Sequence, residues 1–183
     1  MNPFFDVFTH IVNHGGKPLG ETDRLRKGLI WAYSWAVPSP EAIALIKSSV
    51  PRDSVIVEIG AGTGYWAWLL NQAGFNVQPY DQEPQQPPQW MPIFKGGPEV
   101  LARSPDATLF LCWPPLEGTM AEDAINHHQG KFLVYVGEGP GGRTGSDRFH
   151  ALLDSKYEKI QKLELPRWPG FKDSLFIYQA RAF

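Results

Sequence analysis

The chain has 183 residues, 43% of them hydrophobic and 20% charged, with a formal net charge of -2. That length supports one domain with a substantial core rather than two, and the charge balance leaves no global basic field to draw the protein onto nucleic acid or an anionic membrane. The single cysteine, Cys112, excludes an intramolecular disulfide framework and points to a reducing compartment.

The first residues, "MNPFFDVFTHIVNHGG", lack a basic segment followed by a long apolar core and do not read as a signal peptide. No apolar stretch approaches the roughly 20 residues needed to span a bilayer, so the expected setting is cytoplasmic. Residues 1–50 read as a helical lead-in to one domain covering 1–183. Its clearest piece is Pro40 to Ser49, with Ser39 as N-cap and Pro40 at the first helical position. Pro51-Arg52-Asp53 ends that helix.

From there strands and helices alternate. Ser54 to Ile59 is a β-branched, apolar strand, and Thr63 to Ala73 a helix closed by Gly74. Phe75 to Tyr80 is a second strand. Gln82 to Pro92, rich in Pro and Gln, is a loop. Ile93-Phe94 is weakly strand-like, and Pro98 to Arg103 is a short helix. Ala107 to Trp113 is a strand ended by Pro114-Pro115, and Thr119 to Asn126 a helix, followed by His127-His128 in a surface loop. Lys131 to Val136 is a strand that runs into "GEGPGGRTGSD", and Asp147 to Ser155 a helix. Tyr157 to Leu165 and Asp173 to Ala182 have no room for a helix between them and should pair as an antiparallel hairpin.

Repeated strand–helix units predict an α/β fold of the Rossmann-like type. Its sheet is mostly parallel, with helices on both faces and an antiparallel C-terminal hairpin. Ligands bind beyond the carboxyl ends of such strands, which puts Glu58, Asp81, Trp113 and Glu138 on one rim.

The chemistry concentrates in "VIVEIGAGTGYWAWLL". Gly60, Gly62 and Gly64 allow positive φ angles and close backbone approach, and the following helix start offers unpaired N–H groups. Gly62-Thr63-Gly64-Tyr65-Trp66-Ala67 fits the dinucleotide pattern G-x-G-x-x-G/A, with Asp81 placed for a ribose. Glu58 opposes a pyrophosphate: a carboxylate about 4 Å from a phosphate is repelled by roughly 4 kcal/mol at an effective dielectric of 20. S-adenosylmethionine carries a sulfonium and an ammonium and no phosphate, and an acid at the strand end favours both cations.

"VEIGAGTGYWAWLL" resembles motif I of the class I S-adenosylmethionine-dependent methyltransferases, an acid, any residue, then G-x-G-x-G. Glu58, Gly60, Gly62 and Gly64 match it position by position. "FNVQPYD" is similar to that family's second strand, whose terminal acid holds the ribose hydroxyls; Asp81 matches. The resemblance covers about Pro38 to Phe183. It implies S-adenosylmethionine as cofactor, held by Glu58, Gly60, Ala61, Gly62, Gly64, Tyr65, Asp81 and Gln82, with no metal. The acid the family usually carries after its third strand is replaced here by "FKGGPEV", which moves the adenine contact to a backbone amide or the 82–90 loop.

"LFLCWPPLEG" resembles motif IV of methyltransferases acting on nitrogen, in which an Asp, Asn or Ser precedes Pro-Pro and an aromatic residue. Pro114 and Pro115 match; Trp113 stands in the polar position and Leu116 in the aromatic one. An indole N–H donates and cannot accept from an amine. The resemblance leaves Trp113 and the Pro114 carbonyl to orient the acceptor. Glu138, first in the loop after the fifth strand, reads from that position as a proton acceptor or anchor beside a glycine loop able to close. The acceptor is expected to be a small molecule or protein rather than nucleic acid. A catalytically silent cofactor-binding relative and an NAD-dependent oxidoreductase are the alternatives.

Overall fold

The computed structural model describes residues 1–14, 19–84 and 88–181. Residues 85–87 of the expected 82–92 loop and Ala182 of the expected last strand fall outside the described residues. Seven strands form one sheet: β1 (Val55–Ile59), β2 (Asn76–Asp81), β3 (Phe94–Lys95), β4 (Thr108–Cys112), β5 (Phe132–Gly137), β6 (Tyr157–Glu164) and β7 (Ser174–Ala180). Their order is β3-β2-β1-β4-β5-β7-β6. β1 to β5 run parallel, and β7 is antiparallel to both β5 and β6. This is the mixed α/β sheet expected from the alternation and the C-terminal hairpin.

The central strands are mostly apolar because both sheet faces are covered, with Glu58 in β1 the buried acidic exception. On one face Ile56, Phe110, Val134 and Ile177 pack with α3 (Pro40–Ser49) and α4 (Tyr65–Gln72). On the other, Val57, Leu109, Leu133 and Tyr135 pack with a 3-10 helix (Pro98–Arg103), α5 (Met120–His127) and α6 (Asp147–Lys156). Each such fully buried aliphatic side chain contributes about 1.5–3 kcal/mol. α3 starts as the sequence predicts: Ser39 Oγ accepts from the Ala42 N–H at 3.2 Å, a cap worth about 1 kcal/mol.

The lead-in contains two more helices, α1 (Pro3–His14) and α2 (Leu19–Ala32). α1 buries Phe4 and Phe8 against Tyr65, Leu69 and Trp168. Asn2 fastens it: its Oδ1 accepts from the Tyr65 hydroxyl at 2.7 Å and from the Phe5 N–H at 3.2 Å, and its Nδ2 donates to the Pro38 carbonyl at 2.9 Å.

The expected short helix at 98–103 is present as a 3-10 helix, tied at its start by the Gly97 N–H donating to Glu99 Oε1 at 2.8 Å. Two local expectations are corrected. α4 begins at Tyr65 rather than Thr63, because Gly64 sits in the left-handed region at φ +72°. His128 is buried, not in a surface loop; its ring nitrogens lie 2.7 Å from the Tyr157 hydroxyl and 2.8 Å from the Ala107 carbonyl. Burial pushes its pKa down.

Candidate functional site

β1 has β2 on one side and β4 on the other, so the strand order reverses at β1 and a crevice opens above the strand ends. A cavity of about 560 Å³ occupies it, within the range of small-molecule sites. Glu58, Gly60, Ala61, Gly62, Tyr65, Asp81, Gln82 and Trp113 all line it.

The glycine turn is built to bring its main chain to the cavity while keeping its own donors occupied. Gly60, Gly62 and Gly64 have φ of +76°, +56° and +72°, the region where glycine carries no Cβ penalty. The Gly60 and Ala61 N–H groups both donate to the Tyr80 carbonyl, at 2.9 and 3.0 Å, and the Gly64 N–H donates to the Ala61 carbonyl at 2.8 Å. The Gly62 N–H donates to Asp81 Oδ2 at 3.0 Å. A pyrophosphate approaching the turn would find these four donors already engaged within the protein.

Glu58 is only 2% exposed. No hydrogen bond reaches its Oε2 among the described residues. Burial pushes its pKa up to about 8; the Ala67 N–H pulls it down, and the Asp81 charge raises it further. A buried carboxyl with an unpartnered oxygen at the wall of a cavity is costly, and a cation in the cavity would favour its charged form.

Asp81 joins β2 to the turn: Oδ2 takes the Gly62 N–H, and Oδ1 takes the Glu83 N–H at 3.0 Å. Each oxygen retains acceptor capacity. Below it Gly96 and Gly97 complete the floor. A Cβ on Gly96 would lie 2.7 Å from Val100 Cγ1, and one on Gly97 2.8 Å from Gln82 Nε2. The main chain therefore stands where a side chain would otherwise sit.

The opposite wall is aromatic. Trp113 has φ +52°, the one non-glycine residue with positive φ among the described residues, and it precedes a proline, which further restricts its backbone. Such a conformation costs on the order of 1–3 kcal/mol and marks functional sites. Three contacts hold it. Its N–H donates to the Val136 carbonyl at 2.8 Å, its Nε1–H donates to Asp173 Oδ1 at 2.7 Å, and its ring stacks on Trp35 at 4.7 Å between centroids. Trp35 and Trp31 remain 49% and 60% exposed at the mouth.

Three expected site residues stand elsewhere. Gly64 packs behind the turn, where a Cβ would meet Ile93 and Met91. Pro114 does not line the cavity; its carbonyl accepts from the Gly145 N–H at 3.0 Å, and Pro115 lines the wall instead. Glu138 faces away from the cavity. Its Oε1 accepts from the Lys172 N–H and its Oε2 from the Arg143 N–H, both at 2.8 Å, so it fastens the glycine loop and is not poised over a reacting atom.

Sequence reasoning missed the wall supplied by α2, namely Lys27, Ile30 and Trp31, together with Met120 of α5. The cluster of tryptophans in "LIWAYSW" was the available signal. The lead-in is tied to the site through the Trp90 indole, which donates to the Ala32 carbonyl at 2.8 Å, and through Thr63 Oγ1, which donates to the Tyr33 carbonyl.

No protein-family model matches the chain, and no curated protein matches it in sequence. Solved structures do match its fold. A Burkholderia thailandensis 1,6-didemethyltoxoflavin-N1-methyltransferase, with 1,6-didemethyltoxoflavin and S-adenosylhomocysteine bound, superposes with a TM-score of 0.59 at 14% identity, covering 91% of this chain and 92% of that one. Magnesium protoporphyrin IX methyltransferase from Synechocystis PCC 6803, with its methyl donor bound, gives 0.56 at 11% identity over 98% and 93%. M. capricolum TrmK, with S-adenosylhomocysteine, gives 0.51 at 11% identity over 80% and 70%. The chain has the Rossmann-like fold of the class I methyltransferases.

Proposed function

We propose that this protein is an S-adenosylmethionine-dependent methyltransferase acting on a small-molecule acceptor. The observation that carries the reading is Glu58 Oε2: a buried carboxyl oxygen without a partner, beside a turn whose Gly60, Ala61, Gly62 and Gly64 N–H groups are engaged within the protein. That combination suits a cationic ligand and weighs against a dinucleotide and so against an oxidoreductase.

The residues fit the cofactor. Glu58 would hold its positive end, Asp81 its ribose hydroxyls, and Gly96 and Gly97 a planar base lying against main chain. Gly60, Ala61 and Gly62 permit close approach, with Tyr65 and Gln82 at the sides. When bound, S-adenosylmethionine supplies a methyl group on a positively charged sulfur. The chain's share is alignment, because near-attack geometry alone can supply several kcal/mol of such a barrier. Trp113, stacked on Trp35, and Pro115 form a rigid wall against which an acceptor can be held, and the electron-rich indoles favour positive charge beside them. The locked indole N–H leaves no side chain at that wall able to accept a proton, so the acceptor presents its lone pair unaided. The acceptor is a nucleophile, nitrogen among the candidates, that releases its proton to solvent; with Pro114 off the cavity the Pro-Pro resemblance does not fix the atom.

The test is transfer of isotope-labelled methyl from S-adenosylmethionine to a panel of aromatic nitrogen heterocycles, read by mass spectrometry. Labelled product that disappears in Glu58→Gln supports the proposal. S-adenosylhomocysteine binding without transfer to any acceptor leaves the silent relative as the better reading.

A further inference from the structure

A second cavity, of about 530 Å³, lies on the hairpin side of the sheet and is lined by the glycine loop with Arg143, Lys159, Lys162 and Lys172. The concentration of cations is at odds with a chain of net charge -2. It comes from a backbone device. Lys159 and Lys162 are three residues apart and would point to opposite faces of a regular strand. A bulge between Lys159 and Gln161 shifts the register, so Lys159 pairs with Tyr178 and Lys162 with Phe176, both on one face. Both ammonium groups then lie over the Phe176 ring, at 5.7 and 5.9 Å from its centroid. Bulges re-aim side chains in this manner near functional sites.

The cavity has little negative charge to answer these cations. No ion pair engages Lys159, Lys162 or Lys172 among the described residues. The one carboxylate in the lining is Glu138, whose oxygens accept main-chain N–H groups of Arg143 and Lys172 and an ion pair from Arg143 at 3.7 Å. Gly142 is needed for the loop to wrap over it, since a Cβ there would lie 2.5 Å from Glu138 Cβ. A Cβ on Gly139 or Gly141 would meet nothing within 4 Å, so that main chain is open to a ligand. A concave surface lined by one sign of charge concentrates the counter-ion.

An aromatic relay links this pocket to the wall of the first cavity, with which it shares no lining residue. Arg143 lies 4.5 Å over the Phe171 ring, and Phe171 packs on Trp113 at 5.8 Å between centroids. We propose that the second pocket binds a phosphate-type anion, and that this anion belongs to the methyl acceptor, whose reacting atom lies at Trp113. The link to the acceptor rests on the proposed function; the anion site does not. The ligand is small rather than a nucleic acid, because Glu164, which pairs with Ser174 on the same face as the two lysines, interrupts any longer basic track.

The test is calorimetric titration of the full chain with inorganic pyrophosphate, and separately with S-adenosylhomocysteine. Lys159→Ala/Lys162→Ala should weaken pyrophosphate by about tenfold or more and leave S-adenosylhomocysteine within about twofold. Lys159→Arg/Lys162→Arg should restore it. Equal pyrophosphate affinity in wild type and the alanine variant overturns the site. A single-stranded oligoribonucleotide that binds while pyrophosphate does not overturns the small-molecule assignment. Loss of S-adenosylhomocysteine binding alone would refute the proposed function and leave the anion pocket standing.

Discussion

Trp113 and Asp173, 60 residues apart, are joined by a 2.7 Å hydrogen bond from the indole Nε1–H to a carboxylate oxygen. The bond couples the end of β4 to the start of β7. It also holds an indole that the backbone presents in a strained conformation, and through it the wall on which the acceptor is proposed to lie.

Removing that bond should loosen the wall. Asp173→Ala leaves a buried N–H unpaired and should cost about 1–3 kcal/mol. For a chain of this size that is about 2–4 °C in Tm per kcal/mol. Asp173→Asn keeps an acceptor oxygen and should cost less. Burial raises the Asp173 pKa to about 6 despite the Trp113 hydrogen bond. A carboxyl raised in the folded state contributes stability at low pH that is lost as pH climbs from about 4 to 6. Asp173→Asn lacks that loss, so its stability relative to wild type should improve across this window. Urea denaturation at pH 4 and pH 7 reads the difference.

Asp81→Ala removes the acceptor of the Gly62 N–H and of the Glu83 N–H together with the proposed ribose contact. Affinity for S-adenosylhomocysteine should fall at least about tenfold, and stability by about 1–2 kcal/mol as the turn loses its tie to β2. Unchanged affinity measured by calorimetry would refute the ribose role.

Cys112 lines the first cavity, the proposed cofactor site. Burial first, then the neighbouring Glu58 and Asp173 charges, push its thiol pKa well up. Since the thiolate is the nucleophile, iodoacetamide should label Cys112 slowly at pH 8, and S-adenosylhomocysteine should slow the labelling further by about tenfold. Mass spectrometry of the labelled peptide checks both rates. Labelling as fast with ligand as without would place the ligand elsewhere.

Much of the first cavity was legible in the sequence because its parts obey local rules. Positive φ demands glycine at 60, 62 and 64, and an acid at the end of an apolar strand is conspicuous. The hairpin followed from two strand-like runs with no helix between them. Glu138 was misplaced for a physical reason: its position at the end of β5 is set by sequence order, but its direction is set by the Arg143 and Lys172 amides, which come from other segments. Lys159 and Lys162 were invisible for a similar reason. Strict alternation sends them to opposite faces, and only the pairing of β6 with β7 reveals the bulge. The α2 wall depends on how a lead-in helix docks, which a chain's periodicity does not encode.

Glu58 gives the most direct measurement. Its folded-state pKa of about 8 lies above the usual 4.5, so the ligand-free protein should lose stability as pH rises from about 4.5 to 8, and Glu58→Gln should be the more stable of the two at pH 8. A bound cation reverses the balance and drives the proton off. Calorimetry of S-adenosylmethionine binding at pH 7, in buffers of different ionisation enthalpy, should show release of close to one proton. That release should be absent in Glu58→Gln, whose affinity should be at least about tenfold weaker. Binding with no proton released, or NAD binding in place of S-adenosylmethionine, would contradict the account.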